Sequence, residues 1–231
     1  MNKISFSFAF FILLLLACNE PGASKKYILS LDEKVICNNL NVDSAIIPEI
    51  RNYTSNKIER FHYSLSKMYE AGKETEVDPI YLKGLVLQEK NSESYNLVLN
   101  LKPVLKNKGY SVFLLENNFD IDHKNDLLGI LKTIDKYEVL KQIGTNGGNY
   151  DITNDSLLKV IRVFDEKYQL DLIGASGDWC EFIIQSEPTN WFEFAGEVYK
   201  VCPDVVDQGT GTKEALAEEM KKTKRLYFWW D

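Results

Sequence analysis

Histidine is the scarcest reactive side chain in this chain: only His62 and His123 occur in 231 residues. The four cysteines show no CxxC spacing, so the tetrahedral nitrogen and sulfur sets that hold structural or catalytic zinc are missing, and no metal is expected. There is no Gly-x-Ser-x-Gly elbow, no His-Glu-x-x-His helix, no GxGxxG turn and no GxxxxGK[ST] loop. These absences remove the common hydrolase, zinc-peptidase, dinucleotide and nucleotide-phosphate sites, and no cofactor is expected. Positive charge is also short. Lys and Arg number 27 against 34 Asp and Glu, a formal net charge of -7. Such a chain is repelled by phosphate backbones, so nucleic acid is not an expected partner. It is equally repelled by anionic lipid head groups, which excludes a basic patch as the means of membrane attachment.

What is present begins at the N-terminus. Lys3 gives a positive start, Ile4 to Leu16 is an almost unbroken apolar run, and Leu15-Leu16-Ala17-Cys18 follows. The run is shorter than the roughly 20 residues of a membrane-spanning helix. Its form is that of a cleaved export signal covering residues 1–17. Cys18 directly after the small Ala17 is the position where a bacterial lipoprotein signal is cut and the thiol lipidated. The expected location is therefore the bacterial cell envelope, on the outer membrane if Gram-negative. Acyl chains, palmitate among them, would make the membrane anchor. Removing residues 1–17 takes Lys3 with them, so the formal charge becomes -8. Residues 18–26 contain Pro21 and Gly22 and read as a lipidated tether. Cys37, Cys180 and Cys202 remain, and three thiols cannot all pair within one chain. Cys180 and Cys202 are read either as small buried residues or as a disulfide.

With 45% hydrophobic and 12% aromatic residues, the chain can build a substantial core. Residues 27–100 are the less legible region. Tyr27–Leu31 and Lys34–Cys37 read as short strands. Ile58 to Ala71 reads as a helix, with Ile58, Phe61, Leu65 and Met68 near helical spacing, and Leu82 to Gln88 reads as a strand. Beyond this point the signals sharpen. Helices are expected over Ser92–Lys108 (capped by Ser92, with Pro103 inside), Asp135–Ile143, from Thr153 or Asn154 to Tyr168, Thr189–Val201 and Thr212–Thr223. Strands are expected over Tyr110–Leu115, Leu127–Leu131, Leu170–Gly174, Trp179–Ile184 and Leu226–Trp230. The alternation predicts an α/β (α+β) fold: a mixed β-sheet with helices packed on it and the C-terminal strand within the sheet.

Four phrases are long and unusual: Gly144-Thr-Asn-Gly-Gly-Asn-Tyr-Asp151, Leu172-Ile-Gly-Ala-Ser-Gly-Asp-Trp179, Cys202-Pro-Asp-Val-Val-Asp-Gln-Gly-Thr-Gly-Thr212 and Leu226-Tyr-Phe-Trp-Trp-Asp231. On these the chain from about residue 101 to 231 resembles a bacterial family known as domain of unknown function 4253. The resemblance implies a domain boundary near 101, so that the α/β domain spans 101–231, and no chemistry.

The candidate binding residues fall in the same phrases. Asp204, Asp207, Gln208, Thr210 and Thr212 form the densest polar cluster. Its glycines lead into a helix, where exposed N–H groups could hold an anion, though Asp204 and Asp207 would oppose one. The plainer reading is a structural loop with Gly209 and Gly211 at positive φ and Thr210 or Thr212 as the cap. Asp178, Trp179 and Glu181 place two carboxylates beside an indole. That could serve a sugar, a cation or acid–base chemistry, or be a turn aspartate, a partly buried ring and a surface glutamate. In a strand, Trp179 and Glu181 share a face opposite Cys180, and Tyr227 and Trp229 one opposite Phe228 and Trp230. The expected function is a membrane-anchored binding or interaction module for a protein or small-molecule ligand. The alternatives are a carboxylate-dependent envelope hydrolase, which needs two of these carboxylates in one cleft, and an immunity-type toxin inhibitor.

Overall fold

A computed structural model of the chain describes residues 27–62, 68–70, 73–75, 81–118 and 124–230. The expected signal, Cys18, the tether, His123 and Asp231 lie outside the described residues.

The first element departs from expectation. Leu31–Leu40 is a helix, α1, where two strands were expected. The Val-Ile-Cys run favours a strand locally, but a reciprocal cap overrides it. Ser30 accepts from the Glu33 N–H, and the Glu33 carboxylate accepts from the Ser30 N–H. Helix α2 (Ile46–Arg51) follows, its Ile46, Ile47 and Ile50 fully buried. Two short elements replace the helix expected over 58–71: β1 (Ile58–Arg60), which pairs with β4 (Gly84–Glu89), and β2 (Met68–Glu70), which forms a separate hairpin with β3 (Lys73–Thr75). The apolar spacing there is imposed by sheet pairing, with Ile58 opposite Leu87.

From here the expected order holds. Helix α3 (Asn91–Lys106) runs unbroken through Pro103. Ser92 does not cap it: Lys90 takes the N-cap position without a side-chain hydrogen bond. Strands β5 (Ser111–Glu116) and β6 (Asp126–Leu131) pair antiparallel. Then come α4 (Lys136–Ile143), α5 (Asn154–Tyr168), β7 (Leu170–Ala175), β8 (Trp179–Ile184), α6 (Trp191–Val201), a π-helical turn at Val205–Thr210, α7 (Lys213–Thr223) and β9 (Arg225–Trp229). Asp135, Thr153, Asn190 and Thr212 each cap their helix by accepting backbone N–H bonds.

Seven strands form one mixed sheet in the order β1-β4-β6-β5-β7-β8-β9, with the C-terminal strand at one edge. The sheet crosses residue 100, since β4 pairs with β6 along its whole length. Period-two alternation divides the core. Leu85, Leu87, Val112, Leu114, Leu128, Ile130 and Trp179 pack with α1, α2 and α3. Val86, Phe113, Leu115, Leu172, Cys180, Phe182, Leu226, Phe228 and Trp230 pack with α4, α5, α6 and α7. The result is a three-layer sandwich. Among the described residues no helix is long and apolar enough to cross a membrane.

One junction is unlike the others. All neighbouring strands run antiparallel except β5 and β7, which are parallel and meet at a single register position, Leu114 opposite Gly174. The β5–β6 register shifts between Leu114 and Glu116, and the β7–β8 register between Leu172 and Gly174. Both irregularities flank the one bridge, and such shifts bend a strand away from its neighbour.

Candidate functional sites at a closed corner and an open seam

The four unusual phrases converge at one corner, beyond the C-terminal end of β7. The Thr145 hydroxyl donates to Ser176 O at 2.6 Å, and the Asn146 N–H to Gly177 O at 2.8 Å. The Trp230 N–H donates to Asp178 O at 3.0 Å, and its indole Nε1 to Val201 O at 3.3 Å. Gly147 lies flat on the Trp230 ring; a Cβ there would sit 2.9 Å from three ring atoms. The Tyr150 hydroxyl donates to buried Asp204, and that bond, with burial second, pushes the phenol up to about 12. The Cys202 thiol bonds Trp229 O at 2.8 Å and accepts the Trp229 N–H at 3.2 Å.

Cys37, Cys180 and Cys202 are free buried thiols. Burial pushes Cys202 up to about 11 and Cys180 well above the ordinary thiol range, so neither is a reactive thiolate. Of the two glycines expected at positive φ, Gly211 has it (+79°) and Gly209 does not. Thr212 caps α7, while the Thr210 hydroxyl bonds Val205 O and Thr212 O inside the turn. Asp207 and Gln208 are exposed, Asp207 accepting from Tyr199 at 3.2 Å.

Glu181 belongs elsewhere. It lies on the sheet face that carries α3, sharing that face with Trp179, whereas Asp204 and Asp207 follow α6 on the other side. Burial pushes its carboxyl up; the Tyr95 hydroxyl, which donates to it, and Arg225, 3.3 Å away, offset this in part. Arg225 also stacks over the Tyr95 ring at 4.0 Å, and Trp179 stacks on Tyr227 at 5.8 Å. Glu181 is therefore a buried, paired residue and not the surface glutamate of the plainer expectation. Asp178 is exposed at the turn, its carbonyl held by Trp230.

A second site was not expected. At the amino ends of β5 and β7, where the two strands no longer pair, a cleft of about 840 Å3 opens. In open α/β sheets ligands usually sit outside the carboxyl ends of the strands; here the bend at the single bridge opens the other end. Two lysines reach the exposed edge of β7 from opposite faces of the sheet. Lys102 of α3 donates to Leu172 O and pairs with Asp171 at 2.7 Å. Lys136, the first residue of α4, donates to Leu170 O at 2.6 Å and pairs with Asp165 at 2.6 Å. Carbonyls two residues apart point along the same edge, so the ammonium groups stand where a neighbouring strand would supply N–H donors.

Burial pushes Lys102 down from the ordinary lysine value; Asp171 opposes this, and Lys106 and Lys136 add to it. For Asp165, burial pushes up, but donors from Lys136, Tyr137 and the Leu170 N–H outweigh it and hold the carboxyl low. Pro103 lacks the N–H that would bond Leu99 O, and both residues line the opening. Nothing in the sequence flags this pair. Lys102 and Lys136 are 34 positions apart in different helices.

The fold and these sites define a mixed-sheet α/β sandwich with its unusual sequence concentrated in a closed structural corner. Residues 127–231, just under half of the chain, match the model of a family described as Domain of unknown function (DUF4253). The match begins at β6, later than the expected 101, and leaves out β5, which lies between β6 and β7 in the sheet. The corner lies within the match, while the seam takes Lys102, Ser111 and Val112 from outside it. No curated protein and no solved structure matches the chain.

Proposed function

We propose that the protein is a bacterial envelope lipoprotein held at a membrane through Cys18, and that its folded part is a binding module. The Leu-Leu-Ala-Cys placement supports the anchor. The observation that carries the binding reading is the state of the carboxylates. Glu181 is tied to Tyr95 and Arg225 on one sheet face, and Asp204 and Asp207 to Tyr150 and Tyr199 on the other. Paired carboxylate catalysis needs two such groups facing one substrate, about 5–10 Å apart; the sheet separates Glu181 from Asp204 and Asp207, and of those two Asp204 is buried against the Tyr150 hydroxyl. The cleft at the β5/β7 seam, in contrast, sets Leu99, Pro103 and Ile134 beside lysines held in place by carboxylates and backbone carbonyls, so it offers a ligand both apolar and fixed polar contacts.

Two measurements test the reading. Cys18→Ala should abolish lipid labelling and release the protein from membranes; unchanged partitioning with the label retained refutes the anchor. The full chain incubated with isolated envelope material should be retained without releasing soluble fragments. Release of fragments that Glu181→Gln or Asp204→Asn abolishes would make the protein an enzyme instead.

A further inference from the structure

We propose that the β5/β7 seam binds a small organic anion, with a carboxylate or phosphate head held between Lys102 and Lys136 and an apolar body against Leu99, Pro103 and Ile134. This rests on the binding-module reading and names the ligand class.

Hydrogen-bond capacity decides the sign of the ligand. An ammonium group has three donors. Lys102 uses two, on Asp171 and Leu172 O, and Lys136 uses two, on Asp165 and Leu170 O. Each keeps one N–H with no acceptor among the described residues. Lys106 adds a third positive charge to the same wall. Of the acids, Asp165 is the most fully committed, accepting from Lys136, Tyr137 and the Leu170 N–H. Asp135 is exposed and caps α4 by accepting from the Tyr137 N–H. Asp171 has a side chain 44% exposed, and its partner is Lys102. It stands at the rim as an internal competitor for the anion. The lysines themselves are only 19% and 25% exposed, so a head group placed between them is partly shielded from water, which strengthens a charge-assisted bond.

The apolar part has a matching wall. Leu99 and Ile134 are 41% and 59% exposed, unusual for large aliphatic side chains, and both line the opening. They come from opposite sides of the seam, Leu99 from α3 and Ile134 from the loop before α4. A bare inorganic ion would leave this wall unused.

The test is calorimetry on the full chain in a neutral detergent with four probes: benzoate, phenyl phosphate, benzyl alcohol and inorganic phosphate. Benzoate and phenyl phosphate should bind, each at least about tenfold more tightly than benzyl alcohol, which lacks the charge of a hydrogen bond worth roughly that factor or more, and than inorganic phosphate, which lacks the ring whose burial is worth about as much. Lys102→Met should weaken benzoate about tenfold or more while keeping a cooperative melt. Asp171→Asn, at an exposed position, should tighten benzoate by up to about fivefold, the scale of an exposed ion pair. Ile134→Asp should weaken it severalfold. Benzyl alcohol binding as tightly as benzoate overturns the anionic class and leaves the binding-module reading standing. Inorganic phosphate binding as tightly as phenyl phosphate overturns the apolar subsite. Unchanged benzoate affinity in Asp171→Asn and Ile134→Asp, or no binding of any probe to the folded chain, overturns the proposal whatever Lys102→Met does. The binding-module reading fails separately, by release of soluble fragments from envelope material.

Discussion

The two ends of β7 behave differently. At its carboxyl end the turn Ser176–Asp178 is stitched to the 144–150 loop, to Trp230 and, through them, to Cys202 and Asp204. Polar groups there face one another, and the Trp230 ring closes the space, 2% exposed. At its amino end the strand leaves its parallel neighbour, and two lysines cap carbonyls that no strand reaches. The first end holds the most unusual sequence, the second two ordinary lysines. Unusual sequence here marks demanding packing: a glycine that must touch an indole, a cysteine bonded to backbone, a tyrosine serving a buried aspartate. A ligand needs the opposite condition, donors held in place but not consumed.

Removing the chain's end should do the most damage. Deleting Leu226–Asp231 takes away nearly all of β9 with buried Leu226, Phe228 and Trp230. Each large aromatic lost costs about 3–5 kcal/mol, against a typical total of about 5–15 kcal/mol. The truncated chain should show no cooperative melt by circular dichroism. A melt near that of the full chain would mean that the corner is dispensable.

Smaller damage at the same corner should scale down. Gly147→Ala pushes a methyl into Trp230, and overpacking of this kind costs about 1–3 kcal/mol. The melting temperature should fall by about 2–4 °C per kcal/mol. Tyr150→Phe removes a donor from buried Asp204 and should also lower the melting temperature. If either variant melts like the wild type, the corner is looser than its geometry states.

Glu181 ties stability to pH. Its folded value lies above the ordinary 4.5, first because burial disfavours the charged form. The folded state therefore holds the proton more tightly than the unfolded state. Its contribution to stability is full below 4.5 and is lost as pH rises through the raised folded value. Denaturant melts of the wild type should show this decline, and Glu181→Gln should lack it. The smallest effect belongs to the seam: Asp171→Asn should change stability by less than about 1 kcal/mol, as for an exposed pair, while altering anion affinity.

Much of the fold was legible because local signals agreed with tertiary demands. Thr153, Asp135 and Thr212 are caps by side-chain chemistry alone, and the alternation Trp179-Cys180-Glu181 does divide between the two core layers. The misreadings have local causes too. In α1 a β-branched run concealed a Ser-x-x-Glu box. In β1 three residues were too few to show a period of two, and Phe61 completed a false helical spacing. The seam left no local trace: its lysines meet only because α3 and α4 pack on opposite faces of one strand.

The most direct test of the contrast is a backbone amide NMR titration of the full chain with phenyl phosphate. Shifts are expected at Ser111, Val112, Lys136 and Leu170–Leu172, with Gly147, Tyr150, Asp178 and Trp230 unmoved. Shifts concentrated at Gly147–Tyr150, Asp178 and Asp204, with the seam unmoved, would contradict it.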